Sequence, residues 1–553
     1  MSSQKKHRSG LRGFVQLAVI VSFVLVLASV CSASVSNIYV AQNAAGAATG
    51  ADCADAYAVT FFNTAANWGM GATQIGPGTT VHLCGTFTAA AGANGYIVFQ
   101  SSGTNGNPIT LKFEPSAVLT APYWGTNGAI YDHRDYTVVD GGTPCGVING
   151  AVVACNGIIR ATANGTNLAN QVDSTEGIDA GCNNCEFKDV ALSNIYVHAC
   201  TLPASNCTDR QGFDAIGIII RNGNNVTIDH NTCSNAGNCY RLVYPGSTTA
   251  SGFYAYNNEM DHYNWGIIIG DGNTNATLNA PVEVHDNIGH DNANWDDAND
   301  DFHHDSVYCF ATNSGSVMNA CQIYNNYFYG DVGTTANTFV FDSQNSSGNS
   351  CSGVQIFNNL FTNTGPVGHY PANGMIQDWC TGTQIYNNTL VGNSATNNAS
   401  GNVGISVNTG IGTVIKNNIM STFYIGIYKA NGASISSSNN NDFYNLGNSV
   451  VDIWGTNCCT TLAAWQATSG TPDLTSTTGN PNLNGTFTLQ TGSVAIGLGA
   501  NLTSLGISAL DSDKAGIVRP PVGSTLLWSA GAYQFGSSVS GPQPATGATA
   551  IAH

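Results

Sequence analysis

Positive charge is what this chain has least of. It carries 15 Lys and Arg against 33 Asp and Glu, and charged residues make up only 9% of its 553 positions. Four of the cations (Lys5, Lys6, Arg8 and Arg12) fall in the first dozen residues, so removing them leaves eleven and takes the net charge from −18 to −22. A surface that acidic repels phosphate backbones and anionic bilayers, which excludes nucleic acid as a partner. Helix-forming runs of Lys, Glu and Leu are missing too, while 64 glycines and abundant Asn, Thr and Ser fill the chain. That composition favours strands and turns. Apart from the stretch Phe14 to Val30, nothing approaches the roughly 18 apolar residues a membrane helix needs, so no span is expected in the mature chain.

The one apolar run follows basic residues and precedes CSASVS, the layout of a secretory signal peptide over residues 1–34, with cleavage after Ala33 or Ser34. Lipidation at Cys31 is the alternative, against which Val30 speaks. Taking Cys31 from the 17 cysteines leaves sixteen, an even number in an oxidising compartment. They fall as sequential neighbours: Cys53/Cys84, Cys145/Cys155, Cys182/Cys185, Cys200/Cys207, Cys233/Cys239, Cys309/Cys321, Cys351/Cys380 and Cys458/Cys459. Local loop staples are the expectation, with connectivity left open; no second pair lies at zinc-finger spacing.

What the chain has in quantity is a repeat. A short β segment ending in two polar residues recurs as VTIDHN, FYAYNN, VEVHDN, CQIYNN, VQIFNN, TQIYNN, TVIKNN and SSSNNN. The second polar residues are Asn231, Asn258, Asn287, Asn326, Asn359, Asn388, Asn418 and Asn441, with a fainter member around Asn194. A second strand recurs between them, as in IGIIIRNG, WGIIIGDG and TFVFDS, with Ile218/Ile220 and Ile267/Ile269 facing inward. One unit cannot bury its apolar face alone. Stacked units can, and each asparagine then bonds its equivalent one coil above.

These coils resemble the right-handed parallel β-helix of the pectin-lyase-like family, whose asparagine turns are similar to the series here. NIYVAQNAAGAATGADC, IGPGTTVHLCGTFT and SGTNGNPITLKFEPSAVL resemble its N-terminal cap and first coils, while WQATSG, NPNLNGTFTLQTGSVAIGLG and DKAGIVRPPVGSTLLWSAGAYQF resemble its closing segment. The resemblance implies an all-β chain forming a single solenoid with capping segments and loop insertions on one face. Residues 35–150 would form the cap and first coils, 151–450 the central coils, 451–535 the closing coils, and 536–553 a disordered tail. The fold hosts lyases, hydrolases, epimerases and non-catalytic proteins, so it leaves the reaction open.

The longest interval between asparagines, from Asn287 to Asn326, contains GHDNANWDDANDDFHHDSVYCF, the richest cluster of titratable groups. Asp296, Asp297, Asp300 and Asp301 crowd four carboxylates together, which calls for solvation, protonation or a cation; calcium, with six to eight oxygen ligands, is the expected one. The stretch is similar to the DDGFD-like calcium loop of one lyase group, and VTIDHN is similar to an IDH stretch of some pectate lyases. The arginine–proline motif of those lyases and the motif set of polygalacturonases are absent. His303 and His304 precede a strand, so one should face inward and the other outward. Beside Asp305, the outward imidazole can move protons near neutral pH.

Neighbouring coils supply Arg241, Tyr240, Tyr263 and Trp265, and the insertion supplies Trp295: aromatic faces for sugar rings and a cation for a carboxylate. β-Elimination from a uronate needs a base for the proton α to the carboxylate and positive charge for the enolate-like intermediate. His303 or His304 would be the base and Arg241 the stabiliser, with Arg210, Arg221 and Lys188 as competitors. The expected function is therefore an exported, monomeric polysaccharide lyase without organic cofactor. A hydrolase using a pair among Asp300, Asp301 and Asp305, and a non-catalytic carbohydrate-binding or surface protein, are the alternatives.

Overall fold

The computed structural model describes residues 34–536, apart from 149–150, 154, 165–168, 171, 173, 197–214, 245–248, 293–302, 333–334, 343–347, 368, 370, 372, 399–400, 457 and 471. The signal-peptide expectation, the Cys200/Cys207 pair and the tail from 537 lie outside these residues. Each central coil has three strands, one more than the sequence reading distinguished. Val354–Phe357 ends at the asparagine corner, Leu360–Thr362 follows, Ile376–Asp378 closes the coil, and Gln384–Tyr386 begins the next. Equivalent strands pair in parallel from coil to coil; the hairpin of Gly146–Ile148 with Ala151–Val153 is antiparallel. This is the parallel β-helix expected from the repeats, and the crossover rule for parallel strands gives it a right hand.

Alternation drives the packing. Ile218, Ile220, Ile267, Ile269, Val307 and Cys309 join one interior apolar cluster that runs from Ile38 to Trp465. The first coil is closed by Phe62, packed edge-on against Trp68 and Phe99. At the other end the helix Leu462–Gln466 buries Trp465. Local disulfides pin the turns, in six of the expected pairs: Cys53–Cys84, Cys145–Cys155, Cys182–Cys185, Cys233–Cys239, Cys309–Cys321 and Cys351–Cys380. Cys458 and Cys459 carry free thiols instead. Adjacency in sequence does not by itself turn two side chains into a bond. No helix among the described residues is long and apolar enough to cross a membrane.

The eight asparagines named from the sequence are all fully buried and form one ladder. In Asn359, Nδ2 donates to Ile323 O at 2.9 Å and to Asn388 Oδ1 at 3.0 Å, and the backbone N–H donates to that same Oδ1. Its own Oδ1 accepts from the N and Nδ2 of Asn326. The ladder begins where Val190 N donates to Asn231 Oδ1 and ends where Asn441 Nδ2 donates to Asp473 Oδ1. Asn194 is not a member: its Oδ1 accepts from Asn235 Nδ2 at the next corner of the coil.

The residue before each ladder asparagine adopts left-handed φ, from His230 at 55° to Asn440 at 58°. Asn and Asp tolerate that region best after glycine. Several of these outer residues bind the closing segment, which folds back along the corner. Asn358 donates to Ser512 O and accepts from Arg519 Nη2, Asn387 donates to Ser529 O, and Asn417 donates to Ala500 O. The same segment covers Tyr324, Phe357 and Tyr386 with Leu502, Ile507, Leu510 and Trp528.

Replacing Asn359 with Ala strands donors and acceptors on both flanking coils, and is expected to cost about 2–4 kcal/mol in the urea unfolding free energy. A change within error would show that the ladder does not hold the coils.

Candidate active site

Insertions leave the coil at one corner, between its second and third strands. Residues 196–214 connect there, as do 291–304, 330–337, 363–375 and 392–402. Two coils between the first and second of these have none: Thr232–Tyr244 and Glu259–Asp271 run unbroken through the corner. The bend is made by left-handed residues stacked in line, Asn194, Asn235, His262, Asp291 and Gly330.

On the third-strand side of this corner the outer face is aromatic. Trp265 pairs in register with Asp305, and Ile268 with Tyr308 and then Phe339. These side chains form an apolar cluster separate from the interior, with Phe310, Phe341 and Trp379 packed on it. Tyr308 and Phe339 stack at 4.9 Å between centroids, Trp265 and Tyr308 sit 5.8 Å apart, and the His303 ring lies nearly parallel to Phe339 at 5.8 Å.

His303 is 42% exposed, and its Nδ1 lies 3.6 Å from Oδ2 of the wholly buried Asp305. Asp305 Oδ1 accepts from Ala336 N at 3.0 Å, which fixes the carboxylate. Burial alone would lower the pKa of His303, but contact with Asp305 and its charge outweigh burial and raise it. Burial raises the Asp305 carboxyl, against the opposing pull of His303, the Ala336 N–H and His304.

The other expected site residues divide. His304 is the inward histidine, fully buried with Nδ1 hydrogen-bonded to Asn292 O, so it cannot be the surface base. Tyr240 and Tyr263 are also fully buried and belong to the core rather than to a sugar-binding surface; strand alternation turns them inward. Trp265 faces outward but is only 5% exposed. Arg241 is on the outer face, in register with Ile268 and so two strand spacings, roughly 10 Å, from Tyr308. Of its competitors, Arg221 is clamped by Glu176 at 2.5 Å and Asp179 at 3.2 Å, Lys188 is paired with Glu186, and Arg210 lies outside the described residues. Trp295, Asp296, Asp297, Asp300 and Asp301 lie outside them too. Among the described residues no three His, Cys, Asp or Glu side chains are placed to hold a metal.

The sequence places Asp261 and His262 beside the histidine turn but gives no role to His290, on the other flank of the corner. His290 donates between Asp291 Oδ2 at 2.9 Å and Glu259 Oε1 at 3.4 Å. Burial opposes its charge, but the two carboxylates raise its pKa to about 9. In the coil before, His262 Nδ1 lies 2.9 Å from Asp261 Oδ2, which also accepts from Ser234 Oγ at 3.1 Å. The available signal was the dipeptide itself. Asp229–His230, Asp261–His262, His285–Asp286 and His290–Asp291 each pair internally across a left-handed residue at a corner.

No protein-family model matches the chain, and no curated protein matches it in sequence. Among solved structures it is similar to the crystal structure of pectate lyase Pel9A, at 14% identity and a TM-score of 0.43, over 91% of this chain and 99% of that one. It is also similar to DFA-IIIase from Arthrobacter chlorophenolicus A6 without its lid, at 10% identity and a TM-score of 0.29, over 71% and 91%. Likeness at this level says nothing about activity, and the fold rests on the strand pairing itself.

Asp305→Asn keeps the side chain's shape and removes its charge. The His303 resonance, followed by NMR titration, is expected to move down by about one pH unit. An unmoved midpoint would show that the pair is not coupled.

Proposed function

We infer that this is an exported carbohydrate-active protein that cleaves a uronate-containing polysaccharide by β-elimination. The observation that carries the reading is the His303–Asp305 pair: a half-exposed imidazole 3.6 Å from a buried carboxylate and set against aromatic rings. Aromatic faces accommodate sugar rings, and an imidazole beside a carboxylate charge is a competent proton acceptor. As base, His303 takes the proton α to the uronate carboxylate. Arg241, on the same outer face, supplies positive charge to the carboxylate as enolate character develops. In a chain this acidic, an anionic polymer needs such a local cation. Calcium at Asp296, Asp297, Asp300 and Asp301 would add to that charge; no step here depends on it. Export is supported by the basic-then-apolar N-terminal stretch and by the disulfides.

His303 acts as a base only when neutral. Because Asp305 raises its pKa, the rate should climb on the alkaline side of an ordinary imidazole, and Asp305→Asn should shift that climb to lower pH. With pectate or alginate, unsaturated products absorbing near 235 nm are expected, and His303→Ala should lower turnover by roughly 10²-fold or more while the unfolding midpoint stays put. Reducing ends without absorbance would indicate a hydrolase. Binding without products would indicate a non-catalytic protein, and an EDTA-insensitive rate would remove calcium from the account.

A further inference from the structure

β-Elimination moves two protons, and His303 accounts for one. We propose that His262, held by Asp261, donates the other to the departing glycosidic oxygen; this rests on the lyase reading above. The geometry begins with orientation. Asp261 Oδ2 takes His262 Nδ1 and Ser234 Oγ together, so the ring is fixed with its Nε2 edge turned away from the carboxylate. The side chain is 43% exposed, much as His303 is at 42%.

His262 is the left-handed residue of Glu259–Asp271, at φ 50°, where that strand turns the corner without an insertion. One residue on, Tyr263 points into the core and its hydroxyl meets Ser306 Oγ at 2.8 Å. Ser306 is the neighbour of Asp305, and Trp265, three residues beyond His262, pairs in register with Asp305 and faces the His303 ring at 6.5 Å. The Tyr263 hydroxyl, pushed up chiefly by burial, also senses Asp291, Asp261 and Asp305 together. The two imidazole–carboxylate pairs therefore flank one buried tyrosine, on opposite sides of a single bend.

The step balances without another reactant. His303 removes the proton on the carbon α to the carboxylate, and that bond's electrons form the new carbon–carbon double bond. The adjacent carbon–oxygen bond to the leaving sugar breaks, and His262 Nε2–H protonates that oxygen. His303 ends protonated and His262 neutral, and exchange with solvent resets both. Among the described residues, the groups placed about His262 include Asp261 and Glu259 on its own strand, Ser234 and Asn235 on the coil before, and His290 and Asp291 on the coil after. Burial works against the Asp291 carboxylate, yet His290, the Asp331 N–H and His262 hold it below the usual range.

His262→Asn is the clean variant, because asparagine accepts left-handed φ and leaves the corner intact. On the natural polymer it is expected to lose about 10²-fold in kcat. On a uronate substrate whose leaving group is a nitrophenolate, which departs without protonation, the loss should shrink to a few-fold, whereas His303→Ala should remain impaired on both. Wild-type lyase activity with an unaffected His262→Asn variant, or with equal losses on both substrates, would overturn the assignment and leave the lyase reading standing. Absence of unsaturated product from wild type would overturn both. Should His262→Asn shift the unfolding midpoint, Asp261→Asn, with the imidazole retained but unanchored, must show the same leaving-group dependence in weaker form; its absence would overturn the role.

Discussion

The structure depends on a hydrogen bond made by one side-chain type at one place in eight successive coils, Asn231 to Asn441. A buried asparagine donates its amide N–H to the coil before and presents its carbonyl oxygen to two donors of that same coil, while its own donors reach the coil after. Polar groups are expensive to bury unless satisfied, and this arrangement satisfies each one by an identical neighbour. The consequence is register. Once the asparagines are aligned, the strands leading into and out of the corner are fixed as well, and the residues of the third strand fall into rows such as Trp265–Asp305 and Ile268–Tyr308–Phe339.

A coil locked at one corner can vary at another. Insertions enter between the second and third strands, where left-handed residues already break the strand, and the chemistry gathers there. A left-handed aspartate or histidine beside its opposite partner brings imidazole and carboxylate together without long-range contacts. The corner thereby acquires paired acid–base groups as a by-product of turning, and the stack sets their spacing. The closing segment occupies the asparagine corner instead, bound by the outer residue of several pairs.

How far the sequence could be read follows from the same physics. The ladder was legible down to the individual residues, Asn231 to Asn441, because a period enforced by stacking must recur in the sequence. Asn194 was misread because one asparagine in a turn looks the same at either corner; only pairing to Asn235 distinguishes them. Alternation correctly required one of His303 and His304 to face inward but could not say which, since the strand begins only at Asp305 and the preceding loop sets the phase. Tyr240 and Tyr263 were misplaced for a related reason: strands that pass straight through a corner switch faces, and nothing in NCYRLVYPG or MDHYNWGIIIGDG marks where. The paired Asp261–His262 and His290–Asp291 dipeptides were visible, yet their pairing depends on a left-handed backbone that a dipeptide does not announce.

The most direct test of where this protein works is a crystal structure of an inactive His303→Ala variant with a bound uronate oligosaccharide. The sugar chain should cross the bend between the second and third strands, with a carboxylate at Arg241 and a glycosidic oxygen within hydrogen-bond distance of the His262 imidazole. An oligosaccharide lying instead along the strands that lead into the asparagine corner, clear of both histidine positions, would contradict the account.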